Sequence, residues 1–359
     1  MLGVYIHIPF CIRKCPYCDF YSLEYSDNLC DRYVDALCTA VKAHKKEKCD
    51  TIYFGGGTPN LLDIRHFEKI LNTVFNAFDV DKNAEISLES NPALCSIEKL
   101  KAIRKLGFNR ISIGVQSFCD NELKALGRLH NAQQAENAIY DAAMAGFDNI
   151  SADFMMCLPN QTSDKLLNSL QRVFQLPIKH ISAYMLKIEE NTPFSRQSLI
   201  LPDDDLSAQL YLEAVDFLEN NGFAQYEISN FAKKGYECRH NLKYWKREEY
   251  IGFGPAAHSF YSGKRFAVKR DLSAFLADPR QYFITDESCD EFEETLMLNL
   301  RLSSGFDTNS VKDDRIDNVL KKARLLEKYG LLCINNGIIT LTKQGFLVSN
   351  SIISNLLYN

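Results

Sequence analysis

The chain has 359 residues, 46% of them hydrophobic and 24% charged, a balance that excludes a mostly disordered or fibrous protein. Its net charge of −5 and pI near 5.9 argue against a dedicated nucleic-acid binder, which draws its affinity from a basic face. No apolar run approaches the ~18 residues of a bilayer span, and the start Met1-Leu2-Gly3-Val4-Tyr5 lacks the charged and long apolar regions of an export signal.

Short β-rich runs alternate with helical patterns from the start. Strands are expected at Val4–Pro9, Thr51–Gly55, Glu85–Glu89, Arg110–Gln116, Asn149–Met155 and His180–Leu186. Helices are expected near Asn28–Lys45, Asp63–Phe78, Ile97–Leu106, Gln133–Ala145 and Ser163–Phe174. Asp63 and Ser163 stand as N-caps, and Gly107 and Gly146 follow their helices as C-cap glycines do. This alternation implies an α/β protein with a parallel sheet and right-handed crossovers, either doubly wound or an incomplete barrel.

After about residue 190 the rhythm changes. Asn191-Thr192-Pro193 and Pro202-Asp203-Asp204-Asp205 are breaks, and a long helical pattern runs from Leu206 to Asn220. The irregular stretch Glu237–Tyr261 then carries His240, Trp245 and His258. From Glu287 the order is helix, helix, a short hairpin around Asn335-Asn336-Gly337, and helix, like a winged-helix module. Eight Lys/Arg against ten Asp/Glu there favour a structural cap or interaction surface over DNA binding. The division expected is 1–190, 191–286 and 287–359. With no export signal, the twelve cysteines are expected in the reducing cytoplasm as core residues, metal ligands or nucleophiles.

Cys11-Ile12-Arg13-Lys14-Cys15-Pro16-Tyr17-Cys18 places three thiols within eight residues, directly after the first strand. Structural zinc takes four ligands, usually in two separated pairs, whereas Cys15 and Cys18 alone have the spacing of a redox dithiol. Three thiolates suit a [4Fe–4S] cubane with one iron left open to a chelating ligand. Other strand ends gather on the same rim: Gly55-Gly56-Gly57-Thr58-Pro59, Glu89-Ser90-Asn91-Pro92, Gln116-Ser117 and Asp153. Successive glycines let backbone groups approach a ligand closely. Glu89 and Asp153 are polar insertions in apolar runs, suited to ribose hydroxyls or an ammonium group.

Together these residues resemble the radical S-adenosylmethionine (SAM) superfamily, through Cys11-x3-Cys15-x2-Cys18 and Gly55–Pro59. More closely, several segments are similar to the oxygen-independent coproporphyrinogen III oxidase family. They are Tyr5-Ile6-His7-Ile8-Pro9-Phe10-Cys11, Glu89–Pro92, Gly114-Val115-Gln116-Ser117, Leu126-Gly127-Arg128, Asp153-Phe154-Met155 and His240-Asn241-Leu242-Lys243-Tyr244-Trp245. The resemblance covers nearly the whole chain. It implies a partial (β/α)6 barrel with the cluster at its open top, a C-terminal α+β extension and a small winged-helix-like module. It also implies that Cys11, Cys15 and Cys18 ligate the [4Fe–4S] cluster and that Tyr5, Tyr17, Gly56 and Glu89 contact SAM. Gly57, Thr58, Gln116, Arg128 and Asp153 match positions that the oxidase uses for a second SAM.

The chain departs from the oxidase after Cys18. Where that pattern carries a fourth cysteine two residues on, this chain has Asp19-Phe20, and it lacks the oxidase's extension ahead of the first strand. Both features match the HemW-type branch, regarded as haem chaperones. That branch implies haem as a further cofactor and acceptor haemoproteins as partners. It admits a flavodoxin or ferredoxin as electron donor and transient contact with a membrane surface. The alternative is a radical SAM enzyme acting on a porphyrinogen, and no catalytic residue is assigned. Haem iron takes an axial His, Cys, Met or Tyr. The candidates are His240, in His-Asn-x-x-Tyr-Trp, and then His258, in Gly254-Pro255-Ala256-Ala257-His258.

Overall fold

In the computed structural model, which describes residues 1–286 and 290–358, a 12-stranded sheet organises the chain. Strand β1 (Leu2–Ile8) leads into the short pair β2 (Phe10–Cys11) and β3 (Leu23–Glu24), which brackets the cysteine loop. The alternation continues through α1 (Asp27–Lys42), β4 (Lys48–Gly56), α2 (Ile64–Ala77), β5 (Asp79–Ser90), α3 (Ile97–Lys105) and β6 (Arg110–Gln116). It ends with α4 (Asp120–Ala125), α5 (Ala132–Met144), β7 (Asn149–Met156), α6 (Ser163–Val173) and β8 (His180–Met185). Strands β1, β4, β5, β6, β7 and β8 lie side by side in that order, every pair parallel. The order never reverses, so this is a barrel-type winding without the switch point of a doubly wound sheet.

Side-chain alternation gives these strands two unlike faces. Val4, Ile6, Ile8, Ile52, Phe54 and Leu88 are buried in the main core. Helix α1 packs there through Tyr33, Val34, Leu37 and Val41, and α2 through Phe67, Ile70, Leu71 and Val74. Each such side chain contributes about 1.5–3 kcal/mol by leaving water. Phe54, Phe67 and Phe108 meet with centroids 5.1–5.9 Å apart. The residues between these apolar positions, such as Tyr53, Ser87, Glu89, Ser112, Asp153 and Ser182, are polar and occupy the opposite, concave face.

Local signals mostly fall where expected. Gly107 and Gly146 follow α3 and α5 with φ of +108° and +94°. Thr162, not Ser163, caps α6: its hydroxyl accepts the Lys165 N–H, and Ser163 is already the first helical residue. Asp63 precedes α2 but makes no side-chain cap bond. Strand β5 begins at Asp79 rather than Glu85, because its exposed polar start carries no apolar alternation.

The second half enlarges the same sheet at both edges. After α7 (Asp204–Asn220), the hairpin β9 (Ala224–Glu227) and β10 (Asn230–Ala232) joins antiparallel to β8. Helix α8 (Arg239–Trp245) follows, and β11 (Tyr250–Phe253) then pairs in parallel with β1. Strands β12 (His258–Tyr261) and β13 (Lys264–Ala267), helix α9 (Leu272–Ala277) and β14 (Phe283–Asp286) complete that edge. The expected boundary at residue 287 lies outside the described residues.

The C-terminal module comprises α10 (Glu291–Asn299), β15 (Phe306–Asp307), α11 (Ile316–Glu327), β16 (Leu332–Asn335), β17 (Ile338–Leu341), α12 (Lys343–Leu347) and α13 (Ser349–Tyr358). Its hairpin turns on Asn336 and Gly337, both at positive φ, the two-residue turn that matches strand twist. The fold is thus the expected partial barrel with its extension and winged-helix-like module. Among the described residues no helix is long and apolar enough to cross a membrane.

Candidate functional site

The C-terminal ends of the parallel strands surround a cavity of ≈ 390 Å³, and the cysteine loop forms one of its walls. Backbone bonds fix that wall. The Gly57 N–H donates to the Ile8 carbonyl at 2.8 Å and the Thr58 N–H to the Phe10 carbonyl at 2.7 Å, tying the end of β4 to the approach to Cys11. Gly57 is required for this closeness, since a Cβ there would lie 2.6 Å from the Phe10 carbonyl oxygen.

Cys11, Cys15 and Cys18 are partly exposed free thiols on this wall. The Thr58 hydroxyl donates to Cys11 Sγ at 3.4 Å. Arg128 donates through Nη1 to Cys15 Sγ at 3.6 Å and to the Tyr17 hydroxyl at 3.4 Å, and through Nη2 to the Gly114 carbonyl at 2.8 Å. A hydroxyl donor and a cation are thus aimed at two of the three sulfurs. Burial first, and then the neighbouring Cys15 and Cys11, push the Cys18 thiol up, a penalty that a bound metal removes by displacing the proton. Among the described residues no three His, Cys, Asp or Glu side chains converge as they would on one metal ion. Three cysteines of one loop fall one short of the four ligands of structural zinc and suit a [4Fe–4S] cubane with one iron open, so the donor set fits the cluster.

Next to the loop, Glu89 accepts the Tyr53 hydroxyl at 2.8 Å and the Gly56 N–H at 3.1 Å. Burial pushes its carboxyl up to about 7, against the pull of those two donors. Asp153 accepts the Ser112 hydroxyl at 2.8 Å and is likewise raised by burial. Gln116, a non-glycine residue at φ +68°, ends β6 in strained backbone and lines the cavity. Ser90 Oγ and Arg128 Nε are buried there without a hydrogen-bond partner. A polar ligand would satisfy such groups, as SAM does through its amino, carboxylate and ribose functions.

The structure brings together on this cavity the three cysteines, Tyr17, Gly56, Gly57, Thr58, Glu89, Gln116, Arg128 and Asp153. Tyr5 is set apart. It lines a neighbouring cleft and bonds His7 Nδ1 at 3.1 Å, while Tyr53 takes the place beside Glu89. Sequence reasoning missed Tyr53, Arg110, Ser112, Ser182 and Tyr184, which also line the cavity. For the first three the signal was present, since each lies an even number of residues from Gly55 or Gln116 on its own strand.

His240 is corrected as an iron ligand. It is fully buried, its Nδ1 2.8 Å from Thr51 Oγ1 and its Nε2 2.8 Å from the Tyr244 hydroxyl. Its ring stacks on Tyr53 at 5.2 Å, and burial drives its pKa down to about 3. Helix α8 plugs the barrel floor, where the Glu85 carboxylate accepts the N–H groups of Arg239 and His240, each at 3.1 Å. The His-Asn-x-x-Tyr-Trp motif therefore builds the floor beneath the cavity. His258 stands outside the cavity, exposed on β12.

The family model of the radical SAM superfamily matches residues 5–173, and that of the HemN C-terminal domain matches residues 289–348. The heme chaperone HemW of Bacillus subtilis (strain 168) is 34% identical over 374 residues, covering 98% of each chain. That of Lactococcus lactis (strain IL1403) is 35% identical over 84% of this chain and 82% of its own. That of Escherichia coli (strain K12) is 38% identical over 72% of this chain and 69% of its own. Among solved structures, the coproporphyrinogen III oxidase HemN from Escherichia coli, a radical SAM enzyme, matches with a TM-score of 0.86 at 21% identity. It covers 99% of this chain and 89% of that one, a likeness of fold. By sequence shared from end to end, on this barrel and with these cysteines, the chain belongs to the HemW family of the radical SAM superfamily.

Proposed function

We propose that this chain is a haem chaperone: it holds a SAM-coordinated [4Fe–4S] cluster, binds haem and delivers it to acceptor haemoproteins in the cytoplasm. The observation that carries this reading is the end-to-end likeness to proteins named heme chaperone, at 34% identity over 98% of both chains. Phe20, 67% exposed at the position of the oxidase's fourth cysteine, points the same way. Its apolar ring cannot serve as the donor that a cysteine there would be.

Cys11, Cys15 and Cys18 would hold the cluster, which when bound supplies a one-electron reductant with one open coordination position. Glu89 would meet an ammonium group as the carboxylate. Arg128 would meet a carboxylate while steadying the thiolate of Cys15. Asp153 would offer an acceptor to the remaining polar groups. Arg13, Lys14 and Lys124 form a basic depression beside the cysteine loop, suited to an acidic carrier such as a flavodoxin or ferredoxin. The eleven described cysteines are all free, as a reducing compartment requires.

The intact polar cavity favours a radical enzyme acting on a porphyrinogen as the second reading. One comparison separates the two. Haem-loaded, desalted chain mixed with a b-type apohaemoprotein should generate the acceptor's Soret spectrum, and incubation with coproporphyrinogen III, SAM and a strong reductant should give no protoporphyrinogen. Failure of transfer together with robust decarboxylation would replace the chaperone by the enzyme.

A further inference from the structure

A second cleft, also of ≈ 390 Å³, lies beside the cluster cavity against β1, β11 and β12. That size is within the ~300–1,000 Å³ range of ligand pockets. Its inner surface is aromatic, with Tyr5, Tyr21, Tyr244 and Tyr250, and Phe20 lines both this cleft and the cluster cavity. The charged and imidazole side chains at the cleft are His7, Asp19, His258 and Arg270.

His258 is unlike the chain's other histidines. His7, His66, His130, His180 and His240 are buried, and His44 is half-buried against Phe78, Phe253 and Tyr261. His7 reaches the same cleft, yet its Nδ1 meets the Tyr5 hydroxyl and its Nε2 the Tyr21 carbonyl. His258 alone is exposed, and no protein hydrogen bond engages its ring among the described residues. Burial at its inner side and the charges of Arg265 and Arg270 lower its pKa, which keeps a nitrogen lone pair available at neutral pH. Arg270 spends one Nη2 hydrogen on the Asp19 carbonyl at 2.7 Å and remains more than half exposed. That same nitrogen lies 3.7 Å from the Asp19 carboxylate, and Nε and Nη1, which make no protein hydrogen bond among the described residues, remain for a second carboxylate.

We propose that this cleft takes an iron porphyrin, with His258 as the axial nitrogen donor, Arg270 paired to a propionate, and Phe20 against the macrocycle on the side of the cluster. The assignment rests on the haem-binding reading above and gives that reading a place. It also gives His240 a role without ligation. His240 holds the Tyr244 hydroxyl and stacks near Tyr5, so it shapes two of the rings that floor the cleft.

The test is an anaerobic titration of the cluster-reconstituted full chain with haem, followed by absorbance, with iron and sulfide measured in every variant. The parent should bind one equivalent with the Soret band of an imidazole-ligated iron. His258→Ala should lose that ligation spectrum and weaken binding at least tenfold, and added imidazole should restore the spectrum. His240→Gln should keep the parent's spectrum even where affinity falls. Arg270→Ala should bind haem about tenfold more weakly yet bind the dimethyl ester of haem like the parent, because the ester offers no carboxylate. An unchanged spectrum in His258→Ala, with the parent binding haem, overturns the cleft while leaving the chaperone reading in place. Absence of haem binding by the parent overturns both.

Discussion

At the scale of single residues, the thiols and Glu89 make the sharpest claims. Replacing any of Cys11, Cys15 or Cys18 by Ala should abolish assembly of four irons and the SAM-dependent change in the reduced cluster's EPR signal. Cys333→Ala, at an exposed free thiol in the C-terminal module, should leave both intact. Stoichiometric zinc without sulfide in anaerobically prepared protein would contradict the cluster. Glu89 makes a pH prediction. Its folded carboxyl titrates near 7 and the unfolded one near 4.5, so between these values the unfolded chain has released a proton that the folded chain keeps. Glu89's contribution to the stability of the cofactor-free chain should therefore fall as pH rises from about 4.5 to 7, by at most about 3 kcal/mol. Glu89→Gln should flatten that slope in urea melts at pH 5 and 8, and should also lose SAM. Parallel slopes in the two proteins would show that the carboxyl is already ionised in the fold.

At the scale of elements, the βα alternation was legible because each strand of the first half is a short apolar run between turn signals. Arg110–Gln116 falls where its pattern puts it, and Gly107 and Gly146 mark helix ends through their positive φ. In the second half the hairpin around Asn335-Asn336-Gly337 was legible from its turn residues, but the other strands were not. Those are four residues or fewer, and β11 docks on β1 with a sequence separation of 247 between Gly3 and its partner Tyr250, a pairing that no local period encodes. That the three cysteines and the polar rim share one cavity was readable from motif spacing, whereas Tyr53, Arg110 and Tyr184 needed the inward face of each strand to be followed along its length. His240 was misread because a motif rich in aromatic residues around a histidine looks alike whether it lines a site or fills a floor. Burial with both ring nitrogens bonded decides the matter, and that requires Thr51 from another strand. Gly57→Ala tests the link between β4 and the cysteine loop. The added methyl meets two backbone carbonyls, so the variant should lose about 1–3 kcal/mol and assemble little cluster, as iron content and thermal melts would show. Normal cluster content would mean that the two segments do not need this closeness.

At the scale of the whole molecule, the extension and C-terminal module brace the barrel's β1 edge. Glu294 on α10 pairs with Arg247 and Arg265, each at 2.6 Å, and all three side chains are largely buried. Lys243 on α8 meets Asp50 at 2.9 Å and the Met1 carbonyl at 2.8 Å, closing the floor onto the chain's start. Removing one partner of a buried ion pair leaves an uncompensated charge. Glu294→Ala should thus destabilise the chain by about 3 kcal/mol and loosen the haem cleft, whose Tyr250 and His258 lie on that edge. Matched melting curves for parent and variant would contradict this bracing. Trp245, the only tryptophan, stands at the end of α8 beside α10, with its carbonyl accepting Asn299 Nδ2 at 2.8 Å. It reports on the same edge. The most direct measurement is its emission during anaerobic haem titration of the cluster-loaded chain. A haem chaperone of this architecture should show saturable quenching that ends at one equivalent, in step with growth of an imidazole-type Soret band. Emission that falls without saturation, or stays unchanged while no Soret band forms, would contradict haem binding and return the chain to radical chemistry on another substrate.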